Sequence, residues 1–333
     1  MQTDYDVIII GAGPAGASCA KHLVENGVKT LVVEKRKLPR YKCCSGLLSP
    51  RGLNFIKENF GQIPENIVCK NKDIKVKITG SAKNYLLLEN SDFLNLHRNL
   101  FDLWLIEQSK VQFYDESAFI GLIEENNILS VKINYKGKII QLTCKYLIGA
   151  DGGDSKVRRL IDNNFSLKNQ GKTLQYIYEG DFNIDSSYFY VGMNKKFSDS
   201  AFSWMNIKED KLYIGSGWLN KSYDYYNNWF NALQKVNNFN LRLIRKEGCY
   251  CTNYLKGNGL FFGKSNILLV GEAAGLISLF FEGIPSALIS GKSAAISIIE
   301  NPYNINNYYE KLIKSEIDFI NKQWNINKKE DNK

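Results

Sequence analysis

An apolar run, Tyr5-Asp6-Val7-Ile8-Ile9-Ile10, leads straight into Gly11-Ala12-Gly13-Pro14-Ala15-Gly16, and this junction constrains the chain more than any other stretch. The run has the length and β-branched character of a buried strand. The glycines follow the spacing that opens a helix in a dinucleotide-binding unit. Each glycine has its own mechanical task. Gly11 permits the tight strand-to-helix turn, Gly13 lets a pyrophosphate approach the backbone, and Gly16 lets the helix pack closely on the strand. The helix opens at Pro14, and its positive dipole end and its N–H groups from Ala15 onward attract phosphate. A second strand, Thr30-Leu31-Val32-Val33, ends on Glu34, and Glu34 and Lys35 are expected among the cofactor-binding residues. An acid about twenty residues beyond the glycines accepts hydrogen bonds from an adenosine ribose and repels a 2′-phosphate. The expectation is a site for FAD or NAD.

A chain of 333 residues, 44% hydrophobic and 23% charged, suits two closely joined globular domains. The net charge is +9, yet no basic run is long or interleaved with stacking aromatics, so nucleic acid is not an expected partner. Peripheral contact with an anionic membrane surface stays open. No leader precedes the first strand and no run of about eighteen uncharged apolar residues occurs, so a cytoplasmic chain is expected. The seven cysteines, at positions 19, 43, 44, 69, 144, 249 and 251, are an odd number, which argues for reduced thiols. Neighbouring Cys43 and Cys44 have Cα atoms roughly 3.8 Å apart, below the usual disulfide range. Together with Cys249-Tyr250-Cys251 they match no common zinc spacing, so no metal is expected.

Beyond the opening unit, a loop from Leu38 to Ser49 leads to a helix starting near Pro50. Alternation predicts strands at Ile74-Lys75-Val76-Lys77-Ile78 and Tyr85-Leu86-Leu87-Leu88, and three more between 111 and 144. A helix is expected over Leu100 to Ser109. Tyr146-Leu147-Ile148-Gly149-Ala150 reads as a buried strand ending in Asp151-Gly152-Gly153. Residues 173 to 218 alternate aromatics with turns, as an antiparallel sheet does. A further buried strand, Asn266-Ile267-Leu268-Leu269-Val270, ends in Gly271-Glu272-Ala273-Ala274-Gly275. Helices are predicted from about Pro285 to Glu300 and from about Asn304 to Trp324, the latter followed by a charged, frayed tail.

A single glycine-rich fingerprint followed by the strand ends at Asp151-Gly152 and Gly271-Glu272, then Glu282-Gly283-Ile284-Pro285, resembles the FAD-dependent oxidoreductases built like para-hydroxybenzoate hydroxylase. Among these the chain is most similar to the geranylgeranyl reductase family. Lys42-Cys43-Cys44-Ser45-Gly46 resembles that family's Lys-Pro-Cys-Gly-Gly, and Phe202-Ser203-Trp204-Met205-Asn206-Ile207-Lys208 resembles its aromatic-x-Trp-x-Phe-Pro-Lys. The resemblance spans about residues 4 to 300 and implies FAD as the cofactor. It places Asp151 and Gly152 near the pyrophosphate and ribityl chain, with Glu272 where the family has an aspartate. It also places Arg98 beside the cofactor and the α-helix start at Gly283 and Ile284 against the flavin ring. Cys44 takes the active-site cysteine position and, with Ser45 and Gly46, is expected to border the cofactor, and Phe202 and Trp204 line the substrate cavity or the sheet core.

The implied fold class is α/β, a FAD-binding Rossmann-like domain interleaved with an antiparallel-sheet substrate domain. The first is expected over 1–70, 95–170 and 260–300, the second over 71–94 and 171–259, and a C-terminal helix and tail over 301–333. The implied reaction is reduction of a carbon–carbon double bond in an isoprenoid or other apolar substrate. Electrons would come from NAD(P)H or a small redox protein. Two other readings stand beside it: a monooxygenase, hydroxylase or halogenase acting on an aromatic substrate, and a non-catalytic electron carrier or redox sensor. The Trp-x-Trp-x-Ile-Pro motif of flavin halogenases is absent, since only Trp204 is in place.

Overall fold

The computed structural model describes residues 2–198, 202–217, 222–252, 254, 259–278 and 282–330. The last residues of the expected charged tail, 331–333, lie outside the described residues. In chain order the strands are β1 (Tyr5–Ile10), β2 (Thr30–Val33), β3 (Leu47–Leu48), β4 (Val68–Thr79), β5 (Leu86–Leu96), β6 (Gln112–Tyr114), β7 (Ser117–Glu125) and β8 (Ile128–Tyr135). They continue as β9 (Lys138–Gly149), β10 (Gly171–Asp181), β11 (Tyr188–Gly192), β12 (Ser203–Lys208), β13 (Lys211–Gly217), β14 (Asn240–Cys251), β15 (Gly263–Lys264) and β16 (Ile267–Leu269). The helices are α1 (Pro14–Glu25), α2 (Pro50–Asn59), α3 (Arg98–Ser109), α4 (Lys156–Ile161), α5 (Ser222–Val236), α6 (Ile284–Glu300), α7 (Ile305–Leu312) and α8 (Lys314–Glu330).

The chain divides into two units, one of residues 1–40, 99–169 and 252–333, the other of 41–98 and 170–251. The boundaries differ from the expected ones. Residues 41–70 belong to the second unit because Leu47 and Leu48 of β3 pair with Asn95 and Leu94 of β5. Residues beyond 301 belong to the first unit, where buried Tyr309 donates to Leu269 O (3.0 Å) and Trp324 Nε1 to Ile277 O (2.9 Å).

The first unit is built on an eight-stranded sheet, ordered β15-β16-β9-β1-β2-β6 with β7 and β8 joined through β9. Strands β16, β9, β1, β2 and β6 run parallel. Val7, Ile8 and Ile9 of β1 are completely buried, which explains why this strand is apolar throughout. Helices α1 and α6 cross so closely that a Cβ on Gly291 would overlap Ala15 O, and Ser18 Oγ donates to Leu288 O (2.7 Å) between them. The last predicted helix is two helices. Ile305, Tyr309 and Ile313 are all buried, and α7 closes at Ile313 with φ −97° and ψ 12°. No glycine or proline marks that bend, so the periodicity runs straight through it.

The second unit holds another eight-stranded sheet, ordered β14-β10-β13-β12-β11-β4-β5-β3 and antiparallel except for the β4–β11 pair. Helix α5 and the long strand β14 have no counterpart in the sequence reading. Along β12 the side chains alternate. Met205 and Ile207 join Trp229 and Leu233 of α5 in one apolar cluster. Trp204, Asn206 and Lys208 stand on the opposite face, and all three are buried.

Candidate active site

In the first unit the glycine turn is seated on its neighbours. Gly11 has φ 111°, and a Cβ there would overlap Ala150 O; a Cβ on Gly16 would overlap Gly11 O. Packing therefore requires both glycines. Gly13 differs. Its φ of −83° and ψ of −177° suit any residue, and a Cβ there would meet nothing nearer than Arg40 Nη2 at 3.7 Å. The protein itself has no use for a glycine at this position, whereas a phosphate lying on the backbone does. The residues present fit a pyrophosphate at the start of α1.

Glu34 is buried and braces the turn. Its Oε2 accepts from Ala12 N (3.1 Å) and Arg40 Nε (3.1 Å), and its Oε1 from Arg36 N (3.0 Å). A carboxylate oxygen accepts two donors, so Oε1 keeps capacity for a ribose hydroxyl. Arg40 Nη1 in turn binds Asp102 Oδ2 (3.0 Å), whose side chain is fully buried. The guanidinium is thus fixed by two carboxylates with Nη2 toward Gly13, a placement suited to phosphate oxygens. Sequence reading passed over Arg40. Lys35, named instead, is exposed and lies 3.8 Å from Asp154 at the surface.

The later strand ends converge on the same turn. Asp151 and Gly152 follow Ala150, which Gly11 touches. The Asp151 carboxylate is committed to starting α4, accepting from Ser155 Oγ (2.5 Å), Lys156 N (2.6 Å) and Val157 N (3.1 Å). Burial pushes this carboxyl up and those bonds oppose the shift. Gly152, with φ 81°, turns the chain. At Gly271, with φ 58°, a Cβ would stand 3.0 Å from Ala15 Cβ and 3.3 Å from Ala287 Cβ, so this turn wedges between the first turns of α1 and α6. Glu272 Oε1 accepts from Thr252 N (3.2 Å). Gly283 is the N-cap of α6, and Ile284 and Pro285 form its first turn. Arg158 of α4, paired with Asp162 at 2.9 Å, also reaches Ala273 O (3.4 Å) and Gly259 O (2.8 Å).

In the second unit the Cys44 loop rests on the polar face of the sheet. Cys44 Sγ accepts from Gly46 N (3.3 Å) and Arg98 Nη1 (3.3 Å), so Arg98, the first residue of α3, is held at the cysteine. Gln175 Nε2 donates to Cys44 O (3.3 Å), and Asn206 Nδ2 to Ser45 O (3.3 Å). Gly46, with φ 75°, has no room for a Cβ beside Lys208 Nζ and Leu96 O. Lys208 donates to Leu96 O (2.5 Å), and its burial drives its pKa below the ordinary lysine value. Trp204 Nε1 donates to Gln175 Oε1 (3.1 Å) and packs edge-on to Phe202, with centroids 6.1 Å apart. Both rings are buried, so Trp204 is part of the platform beneath the loop. Gln175, Asn206 and Lys208 were missed, although the last two lie within the quoted Phe202–Lys208 motif.

A cleft of about 570 Å³ lined by Lys77, Tyr85, Asn183, Tyr190 and Asn237 touches none of these residues. Cys69, His97 and Glu209 bring donor atoms within 4.8 Å of one another. Glu209 Oε1 is already engaged by Lys70 N (3.1 Å) and His97 Nε2 (3.3 Å), and Lys208 couples electrostatically to Cys69. A cation there would face that buried amine, so the group is a hydrogen-bonded pair beside a buried thiol.

Comparison with known proteins matches this geometry. Residues 4–186 match the FAD binding domain family. Protein CbrA of Escherichia coli (strain K12) is 25% identical over 320 residues, covering 92% of this chain and 87% of the relative. A geranylgeranyl bacteriochlorophyll reductase-like protein from Thermoplasma acidophilum shares the fold with a TM-score of 0.78 at 23% identity, covering 93% of this chain and 83% of that one. The flavin-dependent brominase Bmp2, as a triple mutant, superposes with a TM-score of 0.73 at 18% identity, covering 94% and 84%. Aklavinone-11 hydroxylase, solved with FAD and aklavinone, does so with a TM-score of 0.69 at 14% identity, covering 93% and 66%. With its glycine turn shaped for a pyrophosphate, this chain belongs to the FAD binding domain family and is a flavoprotein oxidoreductase whose cofactor is FAD.

Proposed function

We propose that the protein reduces a carbon–carbon double bond of an isoprenoid or other apolar substrate. The observation that carries this reading is Cys44, a thiol held by Arg98 Nη1 and Gly46 N on a platform of Gln175, Asn206 and Lys208. It stands at the cysteine of a motif that resembles the geranylgeranyl reductase family's, and a protein described as geranylgeranyl reductase-like shares the fold.

FAD, when bound and reduced, supplies the hydride. The glycine turn, Arg40 and Glu34 hold the cofactor's phosphates and ribose, and Asp151, Gly152, Gly271, Glu272, Gly283 and Ile284 shape the surrounding turns. The chain itself must place a proton on the second alkene carbon. Both histidines are engaged elsewhere: His22 Nδ1 lies 2.8 Å from Ser18 O, and His97 pairs with Glu209. Cys44 is the group assigned to that proton. Its two N–H partners steady the sulfur as the proton leaves, and the Arg98 guanidinium is the cation beside it. The electron donor is proposed to be NAD(P)H or a small redox protein.

The test is anaerobic. The FAD-loaded protein is reduced with NADPH or a reduced ferredoxin and mixed with unsaturated isoprenoid lipids, and products are read by mass spectrometry. Gain of two hydrogens, lost in Cys44→Ala, supports the reading. Incorporation of oxygen or halide into an aromatic compound, with no saturated product, overturns it in favour of the chemistry named for the brominase and the hydroxylase that share the fold.

A further inference from the structure

Cys43 and Cys44 are neighbours whose thiols serve different partners. While Cys44 Sγ meets Arg98, Cys43 Sγ lies over the β10–β14 pair, 3.8 Å from Thr173 Oγ1. Thr173 sits directly opposite Cys249 in the antiparallel register, so their side chains share one face of the sheet. Thr173 Oγ1 is 2.9 Å from Cys249 Sγ, and Cys249 Sγ donates to Cys43 O (3.8 Å). Both thiols therefore reach the same Thr173 hydroxyl, and Cys249 also raises the Cys43 thiol pKa. A residue from a loop and one from a strand, far apart in sequence, thus bring their sulfurs to one hydroxyl.

The competing pairings are geometrically poor. Adjacent Cys43 and Cys44 hold their Cα atoms at about 3.8 Å, too close for an ordinary disulfide. Cys249 and Cys251 both lie in β14, where positions two apart are roughly 6.7 Å apart, at the upper limit.

We propose that Cys43 and Cys249 are a modification site, a dithiol that a small-molecule disulfide converts reversibly to a Cys43–Cys249 disulfide, pinning the Cys44 loop to β14. One sulfur of the pair, as thiolate, attacks the small disulfide and releases one small thiol. The second attacks the resulting mixed disulfide and releases the other. The protein loses two protons and two electrons, and the small disulfide is reduced to two thiols. The neighbouring Cys249 and burial push the Cys43 thiol well above the ordinary thiol range, so little of it is thiolate and the pair reacts slowly. Cys44 follows Cys43 in sequence, and Gln175 already binds its carbonyl, so the bond would fix the cysteine that the reaction above assigns to the proton. The pairing itself does not rest on that reaction.

The experiment treats reduced, FAD-loaded protein with oxidised glutathione, quenches in acid, alkylates the remaining thiols and maps peptides without reduction. The expected result is loss of two of the seven thiols, a Cys43–Cys249 cross-linked peptide and full recovery with dithiothreitol. Cys249→Ser should stop the cross-link and leave Cys43 as its glutathione adduct, while Cys44→Ala should still form it. Alkylation of all seven cysteines after oxidation, or a Cys43–Cys44 or Cys249–Cys251 bond in its place, overturns the proposal. The wild-type map decides this alone if a variant fails to hold FAD.

Discussion

Around the glycine turn of the first unit, side chains serve the backbone. Glu34 braces Ala12 N–H, Asp151 is spent on the start of α4, and the surface offered at Gly13 is main chain. Around Cys44 in the second unit the backbone serves side chains. Its carbonyls and amides at Cys44, Ser45, Gly46 and Leu96 collect Gln175, Asn206 and Lys208 beneath a thiol. The difference suits the cofactor's diphosphate in the first unit and the substrate proposed for the second. A diphosphate is the same ligand in every such protein, and a dipole-rich backbone meets it with no side-chain entropy to lose. A substrate differs from protein to protein, and only side chains can be exchanged to fit it.

The comparison breaks most sharply at the glycines. Gly16→Val should cost about 3 kcal/mol or more, because its side chain would be driven into Gly11 O, and FAD should no longer bind. Gly13→Ala should leave the melting temperature of the FAD-free protein within about 3 °C while weakening FAD at least about tenfold. Melting curves and flavin titrations check both; equal damage to stability from the two would mean that packing, not the ligand, selects Gly13.

Cys44→Ala is expected to keep FAD and lower turnover at least about tenfold, the scale of one positioned proton donor. Unchanged product formation would reduce the second unit's polar platform to scaffolding.

Lys208 tests how far that platform departs from a plain core. Its folded pKa lies below its ordinary value of 10.5, so the unfolded chain takes up the proton first. The wild type should therefore lose stability as pH falls below about 10.5, until the folded amine is protonated too. Lys208→Met should be the less stable protein near pH 11 by about 1 kcal/mol, for the lost Leu96 bond. That deficit should shrink or reverse at pH 7 in urea titrations. A difference independent of pH would mean that the amine is solvated.

The smallest effect belongs to Lys35. Its exposed contact with Asp154 should be worth less than about 0.5 kcal/mol. Lys35→Ala should change FAD affinity less than about twofold, against at least about tenfold for Arg40→Met. A larger loss at Lys35 would return it to the cofactor site.

Much of the first unit was legible because its signals are short-range. A strand, three glycines, a helix and a terminal acid lie within residues 5–34, and each reports its own local geometry. Arg40 was not legible. Nothing about a cation six residues after Glu34 says that it folds back between Glu34 and Asp102 to face Gly13. The bend at Ile313 and the parallel β4–β11 pair were hidden for a similar reason, since partners elsewhere impose them. Strand β14 alternates too weakly to stand out, with Arg242, Arg245, Lys246 and Glu247 along it.

By itself the sequence determined the nucleotide turn, the α/β character and the cofactor class, because glycine spacing and apolar runs act over a few residues. Tertiary structure alone decided which side chains meet Cys44 and which cysteine meets Cys43. Residues 43, 173 and 249, like 44, 98, 175, 206 and 208, come together only through sheet register and loop packing. Those contacts arise from buried area summed over the whole second unit, which no local stretch encodes.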